Sequence, residues 1–272
     1  MFSINKINFN PLPNYQSDPQ RATPPLSTIE KQHIHFLDSL YANENISYPL
    51  HSYDEALALL TPLYDKDYIE NKSKINFVST MNEYNQSSAY KKCSFIDWYT
   101  IQNYQYSSYD YLNNMLKLGT SFNHHPLVKQ LAQALMHLSL FNNYNNKFTP
   151  TMLYRGEVRK LSDMIYLKVN GPYTPTSFFS TTKEPNGVIP FLKEIQALAD
   201  DEVNLLYEIH HTESLVVANI SDLLKDDQQE VLFWPKTEFI ITYIDHNRSL
   251  TVRMKTSNIE QHERDNHLYA LF

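Results

Sequence analysis

Residues 228–235 read Gln-Gln-Glu-Val-Leu-Phe-Trp-Pro, and this run constrains the fold more than any other. Val231, Leu232, Phe233 and Trp234 are strand formers, and Pro235 closes the run because it has no N–H to give to a ladder. Upstream, Lys225, Asp226, Asp227, Gln228 and Gln229 are all polar and read as a loop. Glu230 therefore stands where a loop enters a buried strand. If the backbone is extended there, Gln228 and Glu230 project to the same side, because side chains alternate with period two. An amide and a carboxylate would then leave one sheet edge together. For these residues alone, an ordinary strand behind a polar loop is the alternative.

The chain has 272 residues, 42% of them hydrophobic, which is enough for a sizeable core in one large domain or two small ones. A net charge of -7 and the absence of any basic cluster argue against nucleic acid as a partner. No apolar run reaches the ~18–20 residues of a membrane span, and the N-terminus lacks the pattern of an ordinary secretory signal. The single cysteine, Cys93, excludes an internal disulfide framework and any multi-cysteine zinc site. Beside Phe95 and Ile96 it reads as a core thiol, and the chain suits a reducing compartment. His124-His125, His210-His211 and the pair His33 and His35 lack zinc spacing, so no metal is expected.

Along the chain, residues 1–27 carry Pro11, Pro13, Pro24 and Pro25 among polar residues and read as a flexible arm. From Ser27 the pattern turns helical, with Ile34 and Leu37 on one face. A second short helix is expected over Tyr53–Leu60, stopped by Pro62. Residues 67–90 are polar and mixed and carry no clear period. Tyr104, Tyr109, Tyr111, Leu112, Met115 and Leu116 predict a helix over Tyr104–Leu116 with Gly119 as its cap. Pro126 opens another helix, whose apolar face is Leu127, Leu131, Leu135, Leu138 and Leu140. After Pro150 the period changes. Strands are expected at 152–158, 177–182, 204–209, 230–234, 238–244 and 249–254, with a helix over Ile189–Leu198. The expected organisation is a helical lobe at 28–150, a β core at 151–256 and a polar tail at 257–272, with 28–256 forming one catalytic domain. Helices first and strands afterwards give an α+β class, a helical lobe packed on a mixed β-sheet core.

Three short motifs stand in order: Leu153-Tyr154-Arg155-Gly156, then Phe178-Phe179-Ser180-Thr181-Thr182, then Gln228-Gln229-Glu230. Together they resemble the arginine–serine–glutamate class of mono-ADP-ribosyltransferases, over roughly residues 95–245. Trp98-Tyr99-Thr100 and Tyr111-Leu112-Asn113 look like that family's helical lobe, and 231–233 with 239–241 look like the paired strands after its catalytic glutamate. The resemblance implies an ADP-ribosyltransferase-like fold and NAD as co-substrate. It assigns Arg155 to gripping the dinucleotide and the Gly156 backbone to holding nicotinamide. Ser180 would shape the cleft and bond the catalytic Glu230, and Thr182 stands where the family has a second serine. Phe191 would cover the nicotinamide.

The chemistry suits those roles on its own terms. A guanidinium fork matches phosphate oxygens. A glycine leaves its backbone open to a flat carboxamide. Cleavage of the nicotinamide–ribose bond builds positive charge on the ribose, and a fixed carboxylate stabilises that charge most as it develops.

Gln228 bears on the acceptor. Arginine-modifying members usually carry glutamate there, because a guanidinium is cationic and a carboxylate both orients it and takes its proton. Members with glutamine modify asparagine or mainly hydrolyse NAD. The expectation is a monomeric NAD-dependent mono-ADP-ribosyltransferase acting on a host protein side chain. It would be a bacterial effector or toxin, delivered by a specialised secretion system and working in a reducing compartment. An NAD glycohydrolase and a non-catalytic interaction module on the same fold are the alternatives.

Overall fold

The computed structural model describes residues 48–119, 125–144, 151–211, 217–221, 223–224, 229–245 and 250–256. The expected arm, the helix from Ser27 and the polar tail lie outside these residues, as does Gln228.

The helical lobe comes first. Helix α1 spans Tyr53–Leu60 and starts at a reciprocal cap: Ser52 Oγ accepts from the Glu55 amide while Glu55 accepts from the Ser52 amide. Helix α2, Phe77–Gln86, lies inside the polar 67–90 stretch. Its apolar residues Phe77, Met81 and Tyr84 form one narrow buried stripe, too thin to stand out against the surrounding Asn, Ser and Thr. Helix α3, Phe95–Asn103, is buried nearly all round.

The expected single helix over Tyr104–Leu116 is a correction. Helical backbone already begins at Phe95, passes through a π-helical turn at Tyr104–Ser108, and continues as α4, Tyr109–Lys117. The wider turn brings Tyr104 and Tyr109, five residues apart, to ring centroids 5.5 Å from each other. Gly119 does cap the run, with φ at +88° and its amide donating to the Leu116 carbonyl. Helix α5, Pro126–Tyr144, packs on α3 with Leu131, Leu135 and Leu138 buried; the side chain of Leu140 lies outside the described residues. Trp98, Tyr84, Tyr99 and Phe95 fill this lobe, each large side chain contributing about 1.5–3 kcal/mol through burial.

The sheet follows. Its strands are β1 (Thr151–Lys160), β2 (Pro172–Tyr173), β3 (Phe179–Thr182), β4 (Glu202–His211), β5 (Val217–Asn219), β6 (Glu230–Phe233), β7 (Phe239–Asp245) and β8 (Leu250–Thr256), with the short helix α6 at Leu161–Met164 after β1. The order across the sheet is β2-β7-β8-β4-β1-β3-β6-β5. Among the described pairs, β4 with β8 is parallel and the others are antiparallel, so the sheet is mixed as expected. Glu208 stands opposite Arg253 in the parallel pair, and Arg253 Nε donates to Glu208 Oε2 at 2.5 Å. The six expected strands are present; β2 and β5 are too short to show a period.

The helix expected over Ile189–Leu198 is absent. Two 3-10 turns, Pro185–Phe191 and Ile195–Ala197, replace it, with Leu192 extended between them. Pro190 inside the segment has no N–H for an α-helical bond.

Candidate active site

The site forms where the sheet splits. β1 and β3 pair only at Tyr154 opposite Thr182 and then diverge. Lys183 N donates to the Gln229 carbonyl at 3.3 Å, so the odd-numbered residues of β3 exchange bonds with β6. By the antiparallel alternation, Ser180 and Thr182 turn their backbone groups towards β1. In the split, the Ser180 carbonyl takes its hydrogen bond from a side chain: Arg155 Nη1 donates to it at 2.7 Å.

Arg155 is braced on every side. Nε and Nη2 donate to Glu157 Oε2 at 3.4 and 3.2 Å, and the guanidinium carbon lies 4.7 Å from the Phe179 ring centroid. Glu157 also accepts from Arg159 Nε and from the Tyr207 hydroxyl, both at 2.9 Å. Burial pulls the Arg155 pKa down, but Glu157 and the neighbouring Tyr109 phenol outweigh it and the net shift is upward. Burial raises the Glu157 carboxyl, and Arg155 followed by Arg159 brings it below the usual range. The fork is thus permanently charged and already oriented.

On the far side of the split, Thr182 stands opposite Glu230 and Ser180 opposite Leu232. Cross-strand partners share a face, so Ser180, Thr182 and Glu230 lie together. Ser180 Oγ donates to Glu230 Oε1 at 2.5 Å, fixing a carboxylate that is only 5% exposed. The structure therefore brings Arg155, Ser180 and Glu230 into one chain of hydrogen bonds. The helical lobe holds this chain in place. Asn113 on α4 accepts from the Phe178 amide and donates to the Tyr104 hydroxyl, both at 3.0 Å, and Tyr104 packs edge-on against Phe178. Burial drives the Tyr104 phenol well above its ordinary pKa, with Tyr109 and Glu230 adding to the effect.

The remaining expected residues divide. A Cβ on Gly156 would come within 2.9 Å of the Val188 carbonyl, so glycine here lets the 185–191 segment close onto β1. Thr182 Oγ1 accepts from the Glu184 amide at 3.1 Å and lies against Gly187, so its hydroxyl secures the turn after β3. Phe191 is 55% exposed on the 3-10 turn and not on a helix. The extended backbone required to align Gln228 with Glu230 is broken at Gln229, whose φ is +48°. Gln229 Nε2 instead donates to Glu184 Oε1 at 3.1 Å.

Glu157, Tyr109, Gln229 and Glu184 are absent from the sequence-based set. Glu157 carried a signal: it lies two residues from Arg155, hence on the same strand face, with the opposite charge. Cys93 is buried, and burial pushes its thiol up. Among the described residues no group of three or more His, Cys, Asp or Glu could hold a metal ion, and no helix is long and apolar enough to cross a membrane. His211 is buried against Phe233, and burial with the adjacent His210 pulls its pKa down to about 3.

No family model matches this sequence, and no curated protein does. Solved structures do. The type III effector XopAI from Xanthomonas axonopodis pv. citri is 20% identical, with 87% of this chain and 94% of that one covered and a TM-score of 0.51. Exoenzyme S from Pseudomonas aeruginosa, solved with human 14-3-3 protein beta and bound to carba-NAD, is 13% identical over 79% and 98%, with a TM-score of 0.48. Vis toxin, an ADP-ribosyltransferase from Vibrio splendidus, is 20% identical over 77% and 88%, with a TM-score of 0.43. With XopAI this chain shares its fold, and that fold is of the expected α+β class, a helical lobe packed on a mixed sheet.

Proposed function

We propose that this protein is an NAD-dependent mono-ADP-ribosyltransferase that moves ADP-ribose to a side chain of a host protein. The observation that carries the reading is the connected set Arg155–Ser180–Glu230 at the split between β1 and β3. NAD enters as a substrate, and the split offers what it needs. Arg155 is a fixed cation for the pyrophosphate. Gly156 and the exposed Phe191 border the same segment and would hold the nicotinamide. Ser180 keeps the Glu230 carboxylate in one orientation, so it stabilises the ribose cation as the nicotinamide bond breaks and costs no reorganisation then. Thr182 keeps the turn beyond β3 in place. Delivery into a host cell as a bacterial effector is part of the reading, and the lone, buried Cys93 suits a reducing cytosol.

Gln228 in place of a carboxylate favours a second reading, in which water accepts the ADP-ribose and the protein is an NAD glycohydrolase. One experiment separates the two. Nicotinamide release from labelled NAD is measured with purified protein, alone and with a eukaryotic lysate, beside Glu230→Gln. Release that needs lysate, with label on a protein band, supports the transferase. Equal release in both supports the hydrolase, and no release in either rejects both.

A further inference from the structure

The turn that follows β3 carries a carboxylate with no role in the chemistry above. Glu184 is exposed, and it is extended, with φ at −96° and ψ at 118°. Pro185 enforces that conformation, because a residue before proline is pushed out of the helical region. Glu184 lies two residues beyond Thr182, the partner of Glu230. The chain bends at Lys183 and Glu184, and the contact of Glu184 with Gln229 is what brings its carboxylate to the start of β6.

Two contacts fix it there. Its amide donates to Thr182 Oγ1. Its Oε1 accepts from Gln229 Nε2 at 3.1 Å, from the residue next to Glu230. Beside it the Lys183 amide donates to the carbonyl of Gln229, a residue in the left-handed conformation. Burial, then Glu208 and Glu184, raise the pKa of Tyr154, which opposes Thr182 across the split. Among the described residues Glu184 is in no ion pair with a lysine or arginine.

We propose that Glu184 is the acceptor-binding carboxylate of this site, and that it selects a guanidinium side chain in spite of the amide at position 228. This rests on the transferase reading above. A carboxylate beside the reacting centre can take a planar guanidinium through paired N–H···O bonds and align one nitrogen. In the transfer, the bond between ribose C1 and the nicotinamide nitrogen breaks and its electron pair leaves with nicotinamide. A guanidinium nitrogen forms the new bond to C1 with its own pair. The proton it sheds passes to Glu184 and then to water. Glutamine at residue 228 can donate or accept a hydrogen bond but cannot take that proton, and Glu184 supplies the missing base.

The test uses the full chain, NAD and agmatine as the guanidinium probe. Nicotinamide, free ADP-ribose and ADP-ribosyl-agmatine are quantified in the same reaction for wild type and Glu184→Gln. The expected result is ADP-ribosyl-agmatine from wild type and an about tenfold or greater fall in its ratio to free ADP-ribose in Glu184→Gln, the size of one charged hydrogen bond. Nicotinamide release by wild type without ADP-ribosyl-agmatine overturns the inference and leaves NAD cleavage standing. An unchanged ratio in Glu184→Gln also overturns it. No nicotinamide release in any reaction defeats the transferase reading and this inference with it.

Discussion

Two buried carboxylates of this protein each have a serine neighbour, and on the reading proposed above they have opposite uses. Asp97 in the helical lobe and Glu230 in the split sheet are 3% and 5% exposed, and each accepts from a serine hydroxyl, Ser94 at 2.8 Å and Ser180 at 2.5 Å. Around Asp97 the polar groups close on themselves. Gln130 Nε2 donates to one oxygen at 3.0 Å, and His137 Nδ1 meets the other at 3.0 Å. The three helix-borne partners come from α5 and the α3 cap, so the network ties one helix to another. Around Glu230 the hydrogen bonds run outward, through Ser180 on the paired strand β3 to Arg155 on β1, which has parted from β3. On the reading proposed above, burial and a serine partner are common to a structural and a reactive carboxylate, and what sets Glu230 apart is the opening of the backbone beside it.

The largest effect that tests this contrast is expected at Glu230. Glu230→Gln should lower nicotinamide release by about 10²–10³-fold and leave NAD affinity by calorimetry and the melting temperature nearly unchanged. A loss of fold with the activity would make Glu230 structural, like Asp97. Asp97→Ala should do the reverse. It removes one partner of a buried pair, costs about 3 kcal/mol in denaturant unfolding, and leaves the folded protein's turnover intact. Turnover lost at full stability would break the comparison.

Arg155→Ala comes next. NAD affinity should weaken about ten- to a hundredfold, the weight of charged hydrogen bonds. Unchanged affinity would reduce Arg155 to a brace for β3. The smallest effect is the pH response of the lobe. Burial lowers the His137 pKa, but the hydrogen bond and charge of Asp97 raise it more. Its contribution is full below its unfolded value of about 6.5 and is lost as pH rises through the folded value. His137→Gln should thus cost under about 1 kcal/mol, more at pH 6 than at pH 9. A cost independent of pH would show that the bond, and not the charge, matters. His211 has the opposite sign: held neutral by burial, it opposes folding as pH falls below about 6.5.

The sheet was readable because strand-forming residues run together between polar or proline-bearing segments, as at 204–209, which is buried throughout. The segment 185–198 misled because Ile189, Leu192, Ile195 and Leu198 have helical spacing, yet Pro190 and exposed Ile195 make it a surface run of 3-10 turns. The order of Arg155, Ser180 and Glu230 is visible in the chain, since each sits in a recognisable strand context. What braces them is not, because Glu157 with Tyr207, Asn113 with Phe178 and Gln229 with Glu184 meet only through register and packing. Gln229 adds a left-handed residue, a conformation that glutamine does not announce.

The parallel pairing of β8 has a consequence for how the protein is made. β8 lies between β7 and β4, so among the described residues β2 and β7 reach the rest of the sheet's ladder through 250–256. During synthesis, Arg155, Ser180 and Glu230 are all made before the strand that joins β2 and β7 to the strands that carry them. A chain halted before Leu250 would carry Arg155, Ser180 and Glu230 on a sheet without its link to β2 and β7. On the reading proposed above, the cell that translates it would therefore meet the joined platform only once residues 250–256 had been made.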